Sequence, residues 1–155
     1  MNSELMTAEE VFQEYKSDML KLIAYLPWLE EKSGKAKVSQ TFTGENIAEN
    51  SVAFPVYDSN LLRFVREAQT TKFMDRNYVY VISRNRLNST DVEKKFIKAQ
   101  TILQINNIGG VLCKYVMGGQ TKAKLWSQAM DECIFLEVVS KLKELYDYWE
   151  NALGE

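Results

Sequence analysis

The chain has 155 residues, 46% of them apolar and 26% charged, with a formal net charge of −2 and no histidine. That length suits one domain able to bury about two-thirds of its unfolded surface, and we read 1–155 as a single helical domain. Without imidazole there is no Ser-His or Cys-His nucleophile pair, no His-ligated zinc and no switch of the usual physiological-pH kind.

Thr7 precedes Glu10 by three, the spacing of a capping box, and Phe12, Tyr15, Met19, Leu22, Ile23 and Leu26 follow at helical intervals. Pro27 interrupts this first helix, and Trp28 to Lys32 supply one further turn before Gly34 stops it. Residues 35–57 hold Gly44, Pro55 and several Ser, Thr and Asn residues without a 3.6 period, which predicts an extended connection with a short strand at 51–57. Asp58, Ser59 and Asn60 offer caps for a helix carrying Leu61, Leu62, Phe64, Val65 and Ala68, fraying near Thr70 and Thr71.

Residues 77–83 (NYVYVIS) are ambiguous: β-branched and aromatic density favours a strand, and the helical neighbourhood favours a buried helix of about 76–87. A small hairpin with 51–57 is the alternative. Thr90 and Glu93 repeat the capping-box spacing before Val92, Phe96 and Ile97, with Lys94, Lys95 and Lys98 on the other side. From Ile102 to Val116 the apolar positions are dense enough for a central helix buried on most sides. Within it Gly109 and Gly110 signal either a close helix contact or a late helix start after Asn107, and Gly118 stands where a C′ glycine ends a helix. The last helix is amphipathic, with Phe135, Val138, Val139, Leu142, Leu145, Tyr146, Trp149 and Leu153 on one face and Glu137, Lys141, Lys143, Glu144 and Asp147 elsewhere. The sum is an all-α fold of six to seven helices with at most a minor β-hairpin.

Charge is unevenly laid out. Residues 84–124 carry eight basic side chains against Asp91 and Glu93, while 1–31 and 125–155 each carry two basic and seven acidic ones. Such a pattern marks either an electrostatic binding face or acidic ends folding back on a basic centre. The basic region includes Arg84, Arg86 and Lys114, and it runs into Gln120, Thr121, Lys122 and Lys124 at a helix start. There, free backbone N–H groups and the macrodipole favour an anion, although the spacing is not that of a P-loop. The helix, short Gly-containing turn and second helix also fit a helix-turn-helix outline, against which the overall acidity argues. These seven residues are the candidate binding positions, beside the plain reading of an interhelical turn. No constellation of catalytic residues emerges.

Trp28, Trp126 and Trp149 read as core or interface anchors, with Trp126 expected to be largely buried. Cys113 and Cys133 fall in apolar helical patterns, so they are expected as reduced, buried small hydrophobes, and no metal or cofactor is expected. No apolar run approaches the roughly 18 residues of a membrane span. The acidic beginning MNSELMTAEEVF is unlike a signal or transit peptide, so a cytoplasmic chain is expected.

The stretch LCKYVMGGQTKAKLWSQAMDECIFLEVVSKLKEL (112–145), preceded by LRFVREA (62–68), resembles a family of small uncharacterised bacterial and phage proteins, a domain of unknown function. The resemblance implies an apolar helix, a short charged turn, a helix and a terminal amphipathic helix. Many members of that family carry an Arg-x-Glu-Arg-Phe-like segment where this chain has Gly118 to Lys122, so no role of those charged residues carries over. The expected function is a non-enzymatic interaction or regulatory module whose partner is another protein. The alternative is a nucleic-acid- or phosphate-binding domain that uses the basic region 84–124.

Overall fold

A computed structural model describes residues 7–34, 39–41, 55–57, 59–74, 77–122 and 124–153. Among them the chain is all-α, with eight α-helices rather than six or seven: α1 (Ala8–Ile23), α2 (Leu26–Lys32), α3 (Ser59–Ala68), α4 (Tyr78–Arg84), α5 (Thr90–Ala99), α6 (Ile105–Gly118), α7 (Lys124–Asp131) and α8 (Ile134–Leu153). A 3-10 turn (Ile102–Gln104) leads into α6. The additional helix is α2. Proline 27 has no N–H and its ring crowds the carbonyl four residues back, so α1 closes at Ile23 and the chain restarts at Leu26 with the proline in the first turn.

A minor hairpin is present, with a partner other than 77–83. Strand β1 (Ser39–Thr41) pairs antiparallel with β2 (Pro55–Tyr57) in the register Ser39 to Tyr57. The remainder of the expected strand, 51–54, and the cap position Asp58 lie outside the described residues.

The capping box of α1 forms as its spacing predicts: the Glu10 backbone N–H donates to Thr7 Oγ1 (3.2 Å) and the Thr7 N–H to Glu10 Oε1 (2.8 Å). The second box does not. Helix α5 is capped by Ser89, whose hydroxyl accepts from the Val92 N–H at 3.3 Å, and this puts Glu93 on the inner face of the helix, fully buried.

Helices α6 and α8 are the two scaffolds. Helix α8 packs on α1, α2, α5, α6 and α7, and α6 packs on α4, α5, α7 and α8. One apolar cluster runs through the interior, and in it Phe64, Phe135 and Tyr115 meet ring to ring, with centroids 4.9 Å apart for Phe64–Phe135 and 6.4 Å for Tyr115–Phe135. The two acidic ends of the chain lie against each other in the α1–α8 contact, where Lys16 pairs with Glu150 at 2.9 Å. The basic middle also meets acidic α8, through Lys98 and Glu137 at 3.8 Å. No helix among the described residues is long and apolar enough to cross a membrane.

The double glycine of α6 serves close approach, and the helix starts before it. A Cβ on Gly110 would sit 2.9 Å from three Val81 atoms, and one on Gly109 would sit 3.1 Å from the Phe73 carbonyl oxygen. Gly118 and Gly119 are a different case from the expected C′ turn. Gly119 caps α6 in the right-handed region (φ −67°), and a Cβ there would lie 2.0 Å from Trp126 Nε1. The second glycine thus makes room for the indole, which donates to the Val116 carbonyl at 3.1 Å and is half-buried rather than largely buried.

Two charged side chains, Asp18 and Lys141, are inside, and one cysteine differs from expectation in its setting. Asp18 is buried on α1 and accepts from the Lys72 N–H at 3.0 Å, tying α1 to the turn after α3. Lys141 on α8 is 8% exposed, donating to the Lys98 carbonyl (2.9 Å) and pairing with Glu144 (3.0 Å). Cys113 is buried in α6 as expected, but Cys133 is half-buried outside any helix, in the left-handed region (φ 64°) between α7 and α8, and the two form no disulfide.

Candidate functional site

The seven residues singled out by sequence fall in three places. Gln120, Thr121, Lys122 and Lys124 occupy the corner between α6 and α7 and are all exposed. The backbone donors that an anion would need there are largely engaged. The N–H of Gln120 donates to the Met117 carbonyl, those of Thr121 and Lys122 to the Gly118 carbonyl, and that of Leu125 to the Lys122 carbonyl, at 2.9–3.2 Å. With Trp126 pinned on Gly119, the corner has the geometry of a closed interhelical turn.

Lys114 points to α5. Its ammonium pairs with the Glu93 carboxylate, whose other oxygen accepts from the Tyr115 hydroxyl at 2.5 Å. Glu93 has no exposure and the Lys114 side chain is 28% exposed, so the pair is a buried carboxylate held by a cation that still reaches water. The ammonium also lies 4.9 Å from the Tyr115 ring centroid. Burial foremost, and then the bond to Glu93, push the Tyr115 phenol well above its ordinary range. The three groups satisfy one another across the α5–α6 contact and form a structural clamp. Sequence reading assigned Glu93 to a cap and Lys114 to a binding surface. The signal that relates them is only that 93 lies on the apolar stripe of α5 with Ile97, four residues on.

Arg84 and Arg86 stand at the end of α4, and this helix is the most unusual surface of the molecule. Its sequence, YVYVISR, is apolar nearly all round, which ordinarily means burial on all sides. Yet α4 has no buried residue: Val79 is 58% and Tyr80 64% exposed, while Val81 and Ile82 are half-buried on the side of α6. Seven residues rich in β-branched and aromatic types, with no side-chain N-cap, do not hold a helix in isolation. Packing of Val81 into the notch at Gly110 holds it.

The helix ends in a Schellman motif: the Arg86 N–H donates to the Ser83 carbonyl (3.2 Å), and the N–H of buried Leu87 reaches back to the Ile82 carbonyl (3.0 Å). Arg86 occupies the left-handed C′ position at φ 53°, where glycine is the favoured residue. Both arginines are exposed, and neither is in an ion pair among the described residues. Val79, Tyr80, Arg84 and Arg86 therefore combine apolar contact area with unneutralised guanidinium groups on one short element.

Two hollows elsewhere are weaker candidates. One of about 330 Å³ is lined by Asp91, Lys94, Lys95, Lys98, Cys133 and Glu137, charges of both signs, of which Lys98 and Glu137 already pair. The other, about 550 Å³, follows one face of α1 past Gln13, Lys16, Ser17, Leu20 and Lys21, and both of its lysines have carboxylate partners, Glu150 and Asp18.

No family model, curated protein or solved structure matches the chain.

Proposed function

We propose that this chain is a non-enzymatic interaction module, acting in the cytoplasm as a regulator or inhibitor of bacterial or phage origin, and that it binds another protein through the outer face of α4. The observation that carries this reading is the exposure of Val79 and Tyr80 on a helix whose sequence is apolar on both sides. Isolated apolar side chains on a surface are ordinary, but adjacent ones on an element with no buried residue, flanked by arginine, have the composition of an interface centre. The polar groups best placed for chemistry, Glu93, Lys114 and Tyr115, are spent on one another in the clamp between α5 and α6.

The test is selection of peptide binders from a displayed random library against the immobilised chain, repeated with Val79→Ser/Tyr80→Ser. Both side chains are more than half exposed, so the variant keeps its fold. Pools that bind the wild type and lose the variant support the reading, and pools that bind both equally overturn it. The nucleic-acid reading keeps one supporting feature, the pairing of Tyr80 with two arginines, since aromatic rings and guanidinium groups also stack on bases.

A further inference from the structure

We infer that the partner presents an acidic segment, carboxylates spaced around an apolar anchor, which seats the anchor on Val79 and Tyr80 and its carboxylates on Arg84 and Arg86; this rests on the α4 reading above. Charge complementarity carries the choice. Helix α4 has no acidic residue, and it ends in two exposed arginines that have no ion pair among the described residues. Elsewhere in the middle region two of the six lysines meet carboxylates of their own chain, Lys114 on Glu93 and Lys98 on Glu137. The apolar face along α1 has its lysines likewise taken, by Glu150 and Asp18. On α4 two adjacent apolar side chains, each more than half exposed, adjoin cations left over for a partner.

The backbone adds a second line. In a Schellman turn the C′ residue takes the left-handed conformation that glycine adopts without strain. At this point the chain carries Arg86 at φ 53°, held by the bond from Leu87 to Ile82 and by the burial of Leu87. A cation at a helix C-terminus gains from the macrodipole, and Arg84 already supplies that two residues earlier. A second guanidinium at a position that favours glycine is explained by recognition. Arginine is suited to it, because its planar fork takes a carboxylate in a bidentate grip.

A polyanion such as nucleic acid fits less well. An extended backbone needs a track of cations, and the two ends of the chain, 1–31 and 125–155, each carry seven acidic and only two basic residues. A short acidic segment needs only the two arginines.

The experiment uses the full-length ¹⁵N-labelled chain and follows backbone amides 79–86 by NMR at low and high salt. Three probes are titrated in: a synthetic amphipathic peptide of Leu and Glu, its Leu and Lys counterpart, and a single-stranded oligodeoxynucleotide. The expected result is that the Glu peptide moves amides 79–86 and binds more weakly as salt rises. Arg84→Gln/Arg86→Asn should then bind it about two- to thirtyfold more weakly, the range for two partly exposed ion pairs. Asparagine tolerates the left-handed position, so this variant keeps the turn. Equal binding of the Glu and Lys peptides at α4, indifferent to the arginines, overturns the acidic partner and leaves the α4 surface standing. Preferential binding of the oligonucleotide there overturns it in favour of nucleic acid. Concentration-dependent shifts at 79–86 without any probe overturn it in favour of a second copy of this chain. Shifts confined to other elements, or none with any probe at millimolar concentration, overturn both the acidic partner and the α4 surface.

Discussion

Replacing Lys114 by Met removes the ammonium that neutralises Glu93 and leaves the carboxylate on the inner face of α5 with no exposure and one remaining donor, Tyr115. Breaking a buried ion pair on one side typically destabilises by about 3–5 kcal/mol, because a charge is left uncompensated. Here two features lower the figure: Tyr115 still donates at 2.5 Å, and the site opens to water along a lysine side chain that is 28% exposed. The expectation for Lys114→Met is therefore about 2–3 kcal/mol of lost stability, or a fall in Tm of about 5–10 °C for a chain of this size. Urea unfolding followed by far-UV circular dichroism measures it, and the slope with denaturant should stay constant. The triple replacement Glu93→Leu/Lys114→Met/Tyr115→Phe removes charge and partners together, and it should recover to within about 1 kcal/mol of wild type or exceed it. A single variant within about 0.5 kcal/mol of wild type, or a triple variant no better than the single, would refute the clamp.

The phenol of Tyr115 gives a pH signature. Its folded-state pKa is raised above the unfolded value of about 10, so its contribution is intact below about pH 10 and is lost as pH climbs beyond. The stability difference between wild type and Tyr115→Phe should be flat at neutral pH and shrink above about pH 10; a difference constant through the alkaline range contradicts the assignment. Gly119→Ala should destabilise by about 1–3 kcal/mol through overpacking and alter Trp126 emission, since the new Cβ would lie 2.0 Å from the indole nitrogen; unchanged stability and fluorescence count against that packing. A native-state thiol reagent should label Cys133 quickly and Cys113 only on unfolding, and fast uptake of two equivalents contradicts the burial of Cys113. Lys122→Gln/Lys124→Gln should stay within about 0.5 kcal/mol of wild type and leave α4 binding intact; loss of binding returns the α6–α7 corner to the functional surface.

Local signals that depend on neighbours in sequence were legible. The Thr7 box, the stop at Gly34 (φ 70°) and the apolar stripe of α8 all follow from spacing alone. Signals set by distant packing were not. Ser89 and Thr90 both offer a hydroxyl at a helix start, and the choice between them turns on Glu93 finding Lys114 and Tyr115, more than twenty residues away. The pattern of residues 77–83 leaves strand and helix open, and the notch at Gly110, on another element, decides for helix. Glycines 118 and 119 look like a terminator in sequence, whereas in the fold Gly118 makes room for Leu125 and Gly119 for the Trp126 ring. Asp18 and Lys141 are charged residues on apolar stripes, between Tyr15 and Leu22 and between Val138 and Leu145, and tertiary partners that sequence does not show satisfy them there. Of the candidate site, Arg84 and Arg86 were found through charge. Val79 and Tyr80 were missed, because an apolar run gives no sign of which side will be left uncovered.

Docking on α4 requires its outer face to be open to solvent, and paramagnetic relaxation of methyl groups by a soluble nitroxide measures this in the free chain. The methyls of Val79, 58% exposed, should broaden far more than those of Val138, which has no exposure. Equal protection of the two valines would mean that the face is already covered, and it would contradict the proposal that a partner docks there.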